Sequence, residues 1–142
     1  MDFQGSHKFS APPQKVWDAL NDPAVLKASI PGAENVTKNG NTFDITIHVS
    51  IPMLSGDFAL PVQIASENPP SQVVLTIDRA GSYGTIKAQA TIDLAADGGG
   101  TNLTYTAHAD LSGKIGIADN PIGGQAAKSG LNQFLKNLDS KV

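Results

Sequence analysis

The sequence predicts an α+β domain in which about seven antiparallel strands wrap around a long C-terminal helix, with two short helices after the first strand. Three observations predict it: two adjacent helix starts marked by proline, a long succession of alternating apolar and polar segments, and an amphipathic stripe near the C-terminus. With 142 residues, 40% of them hydrophobic, the chain suits one core, so we assign residues 1–142 to a single domain.

The N-terminal region predicts a strand and two short helices. Residues 3–9 alternate in polarity and form the first strand. Two prolines then mark the start of a helix over 13–20, because proline suits a first turn whose N–H groups lack partners. A second helix over 23–28 follows, and Pro31-Gly32 stops it.

Further strands are predicted from alternating residues separated by turn signals. A brief strand around Val36 ends at an Asn-Gly turn. Pro52 is expected to interrupt pairing, Ser55-Gly56 to turn the chain, and Pro61 to mark a sheet edge or a bulge. The remaining strands are predicted over residues 42–51, 57–66, 72–80, 85–95 and 101–112.

The C-terminal region predicts a long amphipathic helix. Asn120-Pro121 has the residue types of an N-cap and a first-turn proline, so a turn or kink is expected there. The apolar stripe consists of Ala127, Leu131, Phe134, Leu135 and Leu138.

Composition excludes several function classes. The chain has no cysteine, which excludes disulfides and thiolate chemistry. The net charge is −3 and lysine and arginine do not cluster, which argues against nucleic-acid binding. We find no signal peptide and no apolar segment near the roughly 18 residues of a membrane span, so a cytoplasmic location is expected.

Small residues occupy inner positions where a filled core would have leucine or isoleucine. The facing helix is rich in glycine, alanine and serine between 123 and 130. Two interpretations remain open: the helix packs closely on the sheet, as dense protein interiors usually require, or the missing volume is an apolar pocket. On the last two strands the small inner residues are Ala88, Ala90, Ala107 and Ala109.

Two polar side chains are candidates for the inner face. Arg79 either points into the pocket, where it would bind a carboxylate, phosphate or quinone carbonyl, or lies in solvent beyond the end of its strand. Tyr105 is in phase with the core, and its hydroxyl needs a partner if it is buried. We find no nucleophilic triad, paired carboxylates or metal-ligand spacing, so no catalytic residue and no metal site is predicted.

Three segments carry a family resemblance: Ala11–Pro23, the Ile30-Pro31-Gly32 stop, and the hairpin Gly99–Tyr105. Their order and spacing closely resemble the family of the carbon monoxide dehydrogenase G subunit, a branch of the START-like or Bet v 1-like SRPBCC superfamily. The resemblance implies a helix-grip fold, which usually encloses an apolar cavity. It also implies an accessory protein of molybdenum hydroxylases, associated with bringing the enzyme to the membrane and with handling a lipophilic molecule such as a quinone.

The resemblance favours a pocket over close packing. It implies a quinone or other lipid as ligand and no further cofactor. The implied partners are a molybdenum hydroxylase complex and the inner face of the cell membrane; because the sequence ends at Val142, without the membrane-seeking tail of some members, that contact is expected to be peripheral. The expected ligand-binding residues are Trp17, Leu26, Ile30, Ile47, Phe58, Leu60, Leu75, Ile77, Arg79, Ala88, Ala90, Tyr105, Ala107, Ala127, Leu131 and Phe134.

Two alternative functions stay open. A START-like enzyme of the cyclase or hydrolase type would use Tyr105 and Arg79 as acid or electrostatic groups. An interaction module would have a filled core and a working outer surface. The volume beneath the last helix separates this second alternative from a ligand-binding protein.

Overall fold

The computed structural model describes residues 1–51 and 54–142, and it confirms the predicted helix-grip architecture. The elements are, in chain order, β1 (Asp2–Phe9), α1 (Pro13–Leu20), α2 (Pro23–Ser29), β2 (Ala33–Asn39), β3 (Thr42–Ile51), β4 (Leu54–Asn68), β5 (Gln72–Gly81), β6 (Gly84–Asp97), β7 (Gly100–Ser112), a 3-10 helix (Gly113–Ala118) and α3 (Pro121–Asp139).

In the described residues, seven strands form one antiparallel sheet with the order β1-β7-β6-β5-β4-β3-β2. The edge strands β1 and β2 are connected by α1 and α2, which therefore close one end of the curled sheet. The 3-10 helix lies at the opposite end, where the Ile115 N–H donates to the carbonyl of Tyr83 in the β5–β6 turn at 2.7 Å. We refer to these two ends as the α1/α2 end and the 3-10 end.

The two short helices begin as the prolines predict. Pro12 is the extended N-cap of α1, and Pro13 takes its first position, where the missing N–H has no helical partner. Asp22 caps α2 by accepting a hydrogen bond from the Ala24 N–H at 3.0 Å. The buried face of α1 consists of Val16, Trp17 and Ala19.

One turn prediction in the sheet is wrong. Ser55 and Gly56 do not turn the chain; they pair with Ser50 and Val49 inside the β3–β4 ladder. Gly56 has a φ of 141°, a conformation open to glycine, so it can continue β4 without a turn. The prediction for Pro52 lies outside the described residues.

The prediction for Pro61 is confirmed. Pro61 pairs with Asp44 on β3, whereas the β4–β5 ladder extends only from Val62–Ile77 to Asn68–Gln72. Pro61 therefore lies just outside the β4–β5 ladder, so its missing N–H interrupts no hydrogen bond between these two strands. β4 also has a register shift after Ile64.

The break before the last helix is confirmed as well. Asn120 separates the 3-10 helix from α3, and its Oδ1 accepts a hydrogen bond from the Gly123 N–H at 2.8 Å. One member of the predicted apolar stripe differs: Ala127 is exposed, while Lys128 beside it is partly buried. In this turn of α3, the side that faces the sheet therefore lies about one residue away from the predicted position, at Lys128 instead of Ala127.

Candidate ligand-binding site

The core of the described residues consists of three hydrophobic clusters, the first two of which share the partly buried Ile64 and Phe134. The largest lies at the α1/α2 end around Trp17, Leu103 and Leu138. A second cluster packs beneath α2 and contains Leu26, Val36 and Phe43. The third lies at the 3-10 end and contains Phe58 and Ile115, packed by Val49, Ile86, Leu111 and Ala118.

Between these clusters, the inner face of the sheet has a band of side chains that belongs to none of them. Among the described residues, these side chains pack against no buried cluster, and each is partly exposed. The strand registers align them, because Ile77 lies opposite Ala88, and Ala88 lies opposite Ala109. This set, which we call the central band, consists of Ile47, Leu60, Ile77, Ala88, Ala90, Ala107 and Ala109.

The last helix contacts the rest of the fold at its two ends and, between them, through Lys128, Leu131 and Phe134. Most backbone contacts of α3 are with α2, the 3-10 helix and β1. Its buried residues are Gly123 at the start and Leu135 and Leu138 near the end. The turns between carry the small residues Gly124, exposed Ala127 and Gly130, and four of the seven central-band residues are alanines. Less side-chain volume is therefore available here than in a core of leucine and isoleucine.

The structure divides the residues predicted to bind a ligand into three groups. Trp17, Leu26, Ile30, Leu75, Tyr105, Leu131 and Phe134 belong to the clusters at the α1/α2 end. Phe58 belongs to the cluster at the 3-10 end. The residues outside all three clusters are Ile47, Leu60, Ile77, Arg79, Ala88, Ala90, Ala107 and Ala127.

Arg79 lies on the inner face at the 3-10 end. β5 continues to Gly81, so Arg79 is inside the strand, opposite Ile86 and only partly exposed. Its Nη1 donates to the Ala59 carbonyl, which lies in the part of β4 beyond the recorded β4–β5 ladder. Together with Phe58, Leu60, Tyr83 and Ile115 it lines a cleft of about 70 Å³. The alternative that placed Arg79 beyond the end of its strand is therefore wrong, and the hydrogen bond of its guanidinium is exposed to solvent.

Tyr105 is buried on the inner face of β7, and its hydroxyl accepts a hydrogen bond from Lys128 Nζ at 2.9 Å. The ammonium also lies 5.1 Å from the centre of the Tyr105 ring and donates to the Gln4 carbonyl on β1. Lys128 was not predicted, because a lysine is ordinarily assigned to solvent. Its spacing to Leu131, Leu135 and Leu138 is the signal that places it on the buried face.

Polar groups on the outer face form two other clusters. Ligand atoms of Glu34, His48 and Asp57, on three adjacent strands, lie within 4.8 Å of one another. All three residues are exposed, and His48 Nδ1 is already 2.8 Å from Asp57 Oδ1, so we interpret them as a surface ion-pair group.

The second outer cluster is centred on His108. Its Nδ1 lies 2.6 Å from Asp2 Oδ1, and its Nε2 lies 3.0 Å from Asp110 Oδ1. The hydrogen bond with Asp2, followed by that with Asp110, raises the pKa of His108 above its ordinary value of 6.5. The same bond lowers the pKa of Asp2 below 3.8. This group borders an open groove of about 570 Å³ on the outer face of the sheet, whose lining combines polar side chains with Ile77, Ala88 and Ala107.

The seven-stranded sheet, the two short helices and the long last helix define a helix-grip fold of the Bet v 1-like type. A conserved protein from Geobacillus kaustophilus is similar, with a TM-score of 0.88 and 24% identity over 99% of this chain and 94% of that one. A Chromobacterium violaceum protein has a TM-score of 0.75 and 20% identity over 99% of this chain and 96% of that one. Ara h 8.0201 has a TM-score of 0.70 and 16% identity over 99% of this chain and 96% of that one. These likenesses show the fold alone.

The family model for the carbon monoxide dehydrogenase G subunit (CoxG) matches residues 5–142. The chain belongs to this family, which confirms the resemblance carried by its motifs. Family and fold together support a ligand-binding accessory protein in general terms. No curated protein matches the chain at a significant level. Among the described residues, no helix combines the length and the hydropathy needed to cross a bilayer.

Proposed function

We propose that this protein is a non-enzymatic accessory protein that holds a lipophilic ligand, a quinone or another lipid, between α3 and the central band and assists a molybdenum hydroxylase. The observation that carries the ligand-binding part is that the central band packs against none of the three hydrophobic clusters. Membership of the CoxG family supports the accessory role and the class of partner enzyme.

The chemistry of the central band favours an apolar ligand. Its side chains are isoleucine, leucine and alanine, which offer no hydrogen bonds. Their removal from water is favourable by about 25 cal/mol per Å² of apolar surface. Leaving such space empty costs roughly 24 cal/mol per Å³ of cavity. A long apolar guest therefore stabilises the fold while the protein shields the guest from water.

The 3-10 end offers a route for the ligand. Large apolar side chains are exposed there: Tyr83 in the β5–β6 turn, Ile117 in the 3-10 helix and Ile122 at the start of α3. Exposed apolar groups in one region are typical of interaction with a membrane surface or a partner. They support a cytoplasmic protein that contacts the inner face of the membrane peripherally and exchanges ligand at this end.

Neither alternative function has a specific observation in its favour. A START-like enzyme would need Tyr105 and Arg79 to act together, yet Tyr105 lies in the cluster at the α1/α2 end and Arg79 lines the cleft at the 3-10 end. A filled interaction module would need the central band to pack against the core, so the absence of its residues from the three clusters of the described residues favours the ligand-binding proposal.

The test is direct analysis of what the protein binds. Freshly purified protein is extracted with organic solvent and the extract is examined by mass spectrometry; purified quinones are added to extracted protein in a thermal-shift assay. We expect a co-purifying lipid and a quinone-dependent increase in melting temperature, because a ligand that binds only the folded state stabilises it. An empty extract together with no shift from any quinone would contradict the proposal.

A further inference from the structure

The Lys128 ammonium has an unusual environment for a lysine on the side of α3 that faces the sheet. The residue is only partly exposed, and among the described residues no carboxylate lies within ion-pair distance of its Nζ. Its partners are two neutral oxygens, the Gln4 carbonyl and the Tyr105 hydroxyl. A partly buried cation without a counter-ion attracts an anionic or strongly dipolar group from outside the protein.

The hydrogen-bond directions define what that group must be. Lysine has three donors and no acceptor, so the Tyr105 oxygen is the acceptor in its bond with Lys128. The phenolic proton of Tyr105 is therefore free to donate elsewhere, and one ammonium proton is free as well. The pair thus offers two donors side by side, which suits an oxygen that only accepts hydrogen bonds.

Tyr105 neighbours the central band along β7, while its hydroxyl and the Lys128 ammonium lie over β1. On β7, Tyr105 is two residues from Ala107, and both face the inside of the sheet. Gly5 lies opposite Tyr105 on β1, and a Cβ atom on Gly5 would be 2.8 Å from the tyrosine hydroxyl and 2.9 Å from Lys128 Nζ. The glycine therefore leaves the space that these two polar groups occupy.

We propose that Lys128 and Tyr105 bind the polar end of the ligand, and that this end is an acceptor-only oxygen group, a carboxylate or a quinone carbonyl. This inference rests on the proposed function, because it needs the apolar part of the same ligand to lie along the central band. Arg79 is the competing candidate, because its guanidinium donates to the Ala59 carbonyl at the 3-10 end and keeps further N–H donors for a ligand. Lys128 is favoured because the Tyr105 hydroxyl supplies a second donor beside it, so Lys128 selects among lipophilic ligands by their head group.

Three probes with a similar apolar chain separate the head-group chemistry: lauric acid, decylubiquinone and dodecanol. Binding to delipidated full-length protein is measured by isothermal titration calorimetry for the wild type, Lys128→Met and Tyr105→Phe. Lys136→Met is the matched control, since Lys136 is an exposed lysine on the same helix. Arg79→Met tests the competing anchor.

For Lys128→Met we expect about a tenfold or larger loss of affinity for the acid, the quinone or both, because a charge-assisted hydrogen bond is lost. Tyr105→Phe, which keeps the buried ring, should lose affinity for the same probes. Dodecanol, whose hydroxyl accepts a weaker hydrogen bond, should lose less affinity in Lys128→Met than the acid or the quinone does, and Lys136→Met should match the wild type. Loss with the acid alone identifies a carboxylate ligand, and loss with the quinone alone identifies a carbonyl ligand.

Two outcomes overturn the inference and are distinguishable. In the first, all three probes bind the wild type, but the substitutions Lys128→Met and Tyr105→Phe leave their affinities unchanged, or only Arg79→Met weakens binding. The proposed anchor is then wrong, while the proposed function stands. If no probe binds the wild type, the proposed function fails and the anchor fails with it. Melting temperatures show whether the Lys128→Met protein is folded. If it is not, the affinity of the Tyr105→Phe protein for the acid and the quinone tests the anchor instead.

Discussion

Ala90 on β6 lies directly opposite Ala107 on β7, and alternation along the two strands puts both methyl groups on the inner face of the sheet. A filled core would resist a larger residue here, since overpacking costs about 1–3 kcal/mol. An unfilled space would accept it. We therefore expect Ala90→Leu to keep or raise the free energy of unfolding, measured by urea denaturation, while it abolishes binding of the lipophilic ligand.

The matched control for this substitution is Ala95→Leu. Ala95 is an exposed residue on the same strand, so leucine there should change neither ligand binding nor the packing beneath α3. A destabilised Ala90→Leu protein beside a stable Ala95→Leu protein would show that the protein's own side chains already fill the space.

Trp17 should act through the core rather than through the ligand. It is 7% exposed and packs in the largest cluster at the α1/α2 end. Trp17→Ala is expected to lower the free energy of unfolding by about 3–5 kcal/mol, because the removed ring leaves a cavity. Far-UV circular dichroism during urea unfolding measures the change, since the only tryptophan is lost.

The control for Trp17→Ala is Lys15→Ala on the exposed side of α1. Alanine at this position should leave the stability nearly unchanged. A Trp17→Ala protein that keeps its stability but loses the ligand would instead place Trp17 in the wall of the binding site.

The Asn120 cap should control how firmly the start of α3 is held. Asn120→Ala removes the bond to the Gly123 N–H and is expected to cost about 0.5–2 kcal/mol. Amide hydrogen exchange should become faster in the first turns of α3, while exchange near Leu138 stays slow. Asn132→Ala, in an exposed position of the same helix, should not accelerate exchange; if it does so equally, the cap is not the cause.

The fold was predictable because its signals are local. Pro12 and Pro13 mark the start of α1, and Asn120-Pro121 marks the start of α3, by rules that depend only on neighbouring residues. Alternation located the strands for the same reason. The Ser55-Gly56 prediction failed because glycine fits both a turn and an extended strand, and only pairing with β3 decides between them.

The candidate site was less predictable because it depends on register and on helix rotation. The alanines of the central band were found from alternation alone, which requires only their strands. Lys128 was missed because its role depends on which side of α3 faces β1, and a rotation of about one residue exchanges it with Ala127. The Glu34, His48 and Asp57 group was also missed, since it needs the β2–β3–β4 register and the irregularity after Ala33.

The attachment of the N-terminus to β7 should depend on pH. The hydrogen bond with Asp2 raises the pKa of His108 above 6.5, and Asp110 contributes to the same shift. Asp2→Asn is therefore expected to lower the pKa of His108, and Asp110→Asn should lower it less, as measured from imidazole proton shifts in an NMR titration. Asp44→Asn, on the outer face of β3, is the control and should leave the His108 titration unchanged.

The sign of the effect on stability follows from both shifts. Because His108 has a raised pKa in the folded state, its contribution is complete below 6.5 and is lost as the pH rises through that raised value. Asp2 has a lowered pKa, so its contribution is present above 3.8 and is lost as the pH falls through the lowered value. The contact therefore stabilises β1 most between these limits, and only weakly, because both groups are exposed. An unchanged His108 titration in Asp2→Asn would contradict the assignment.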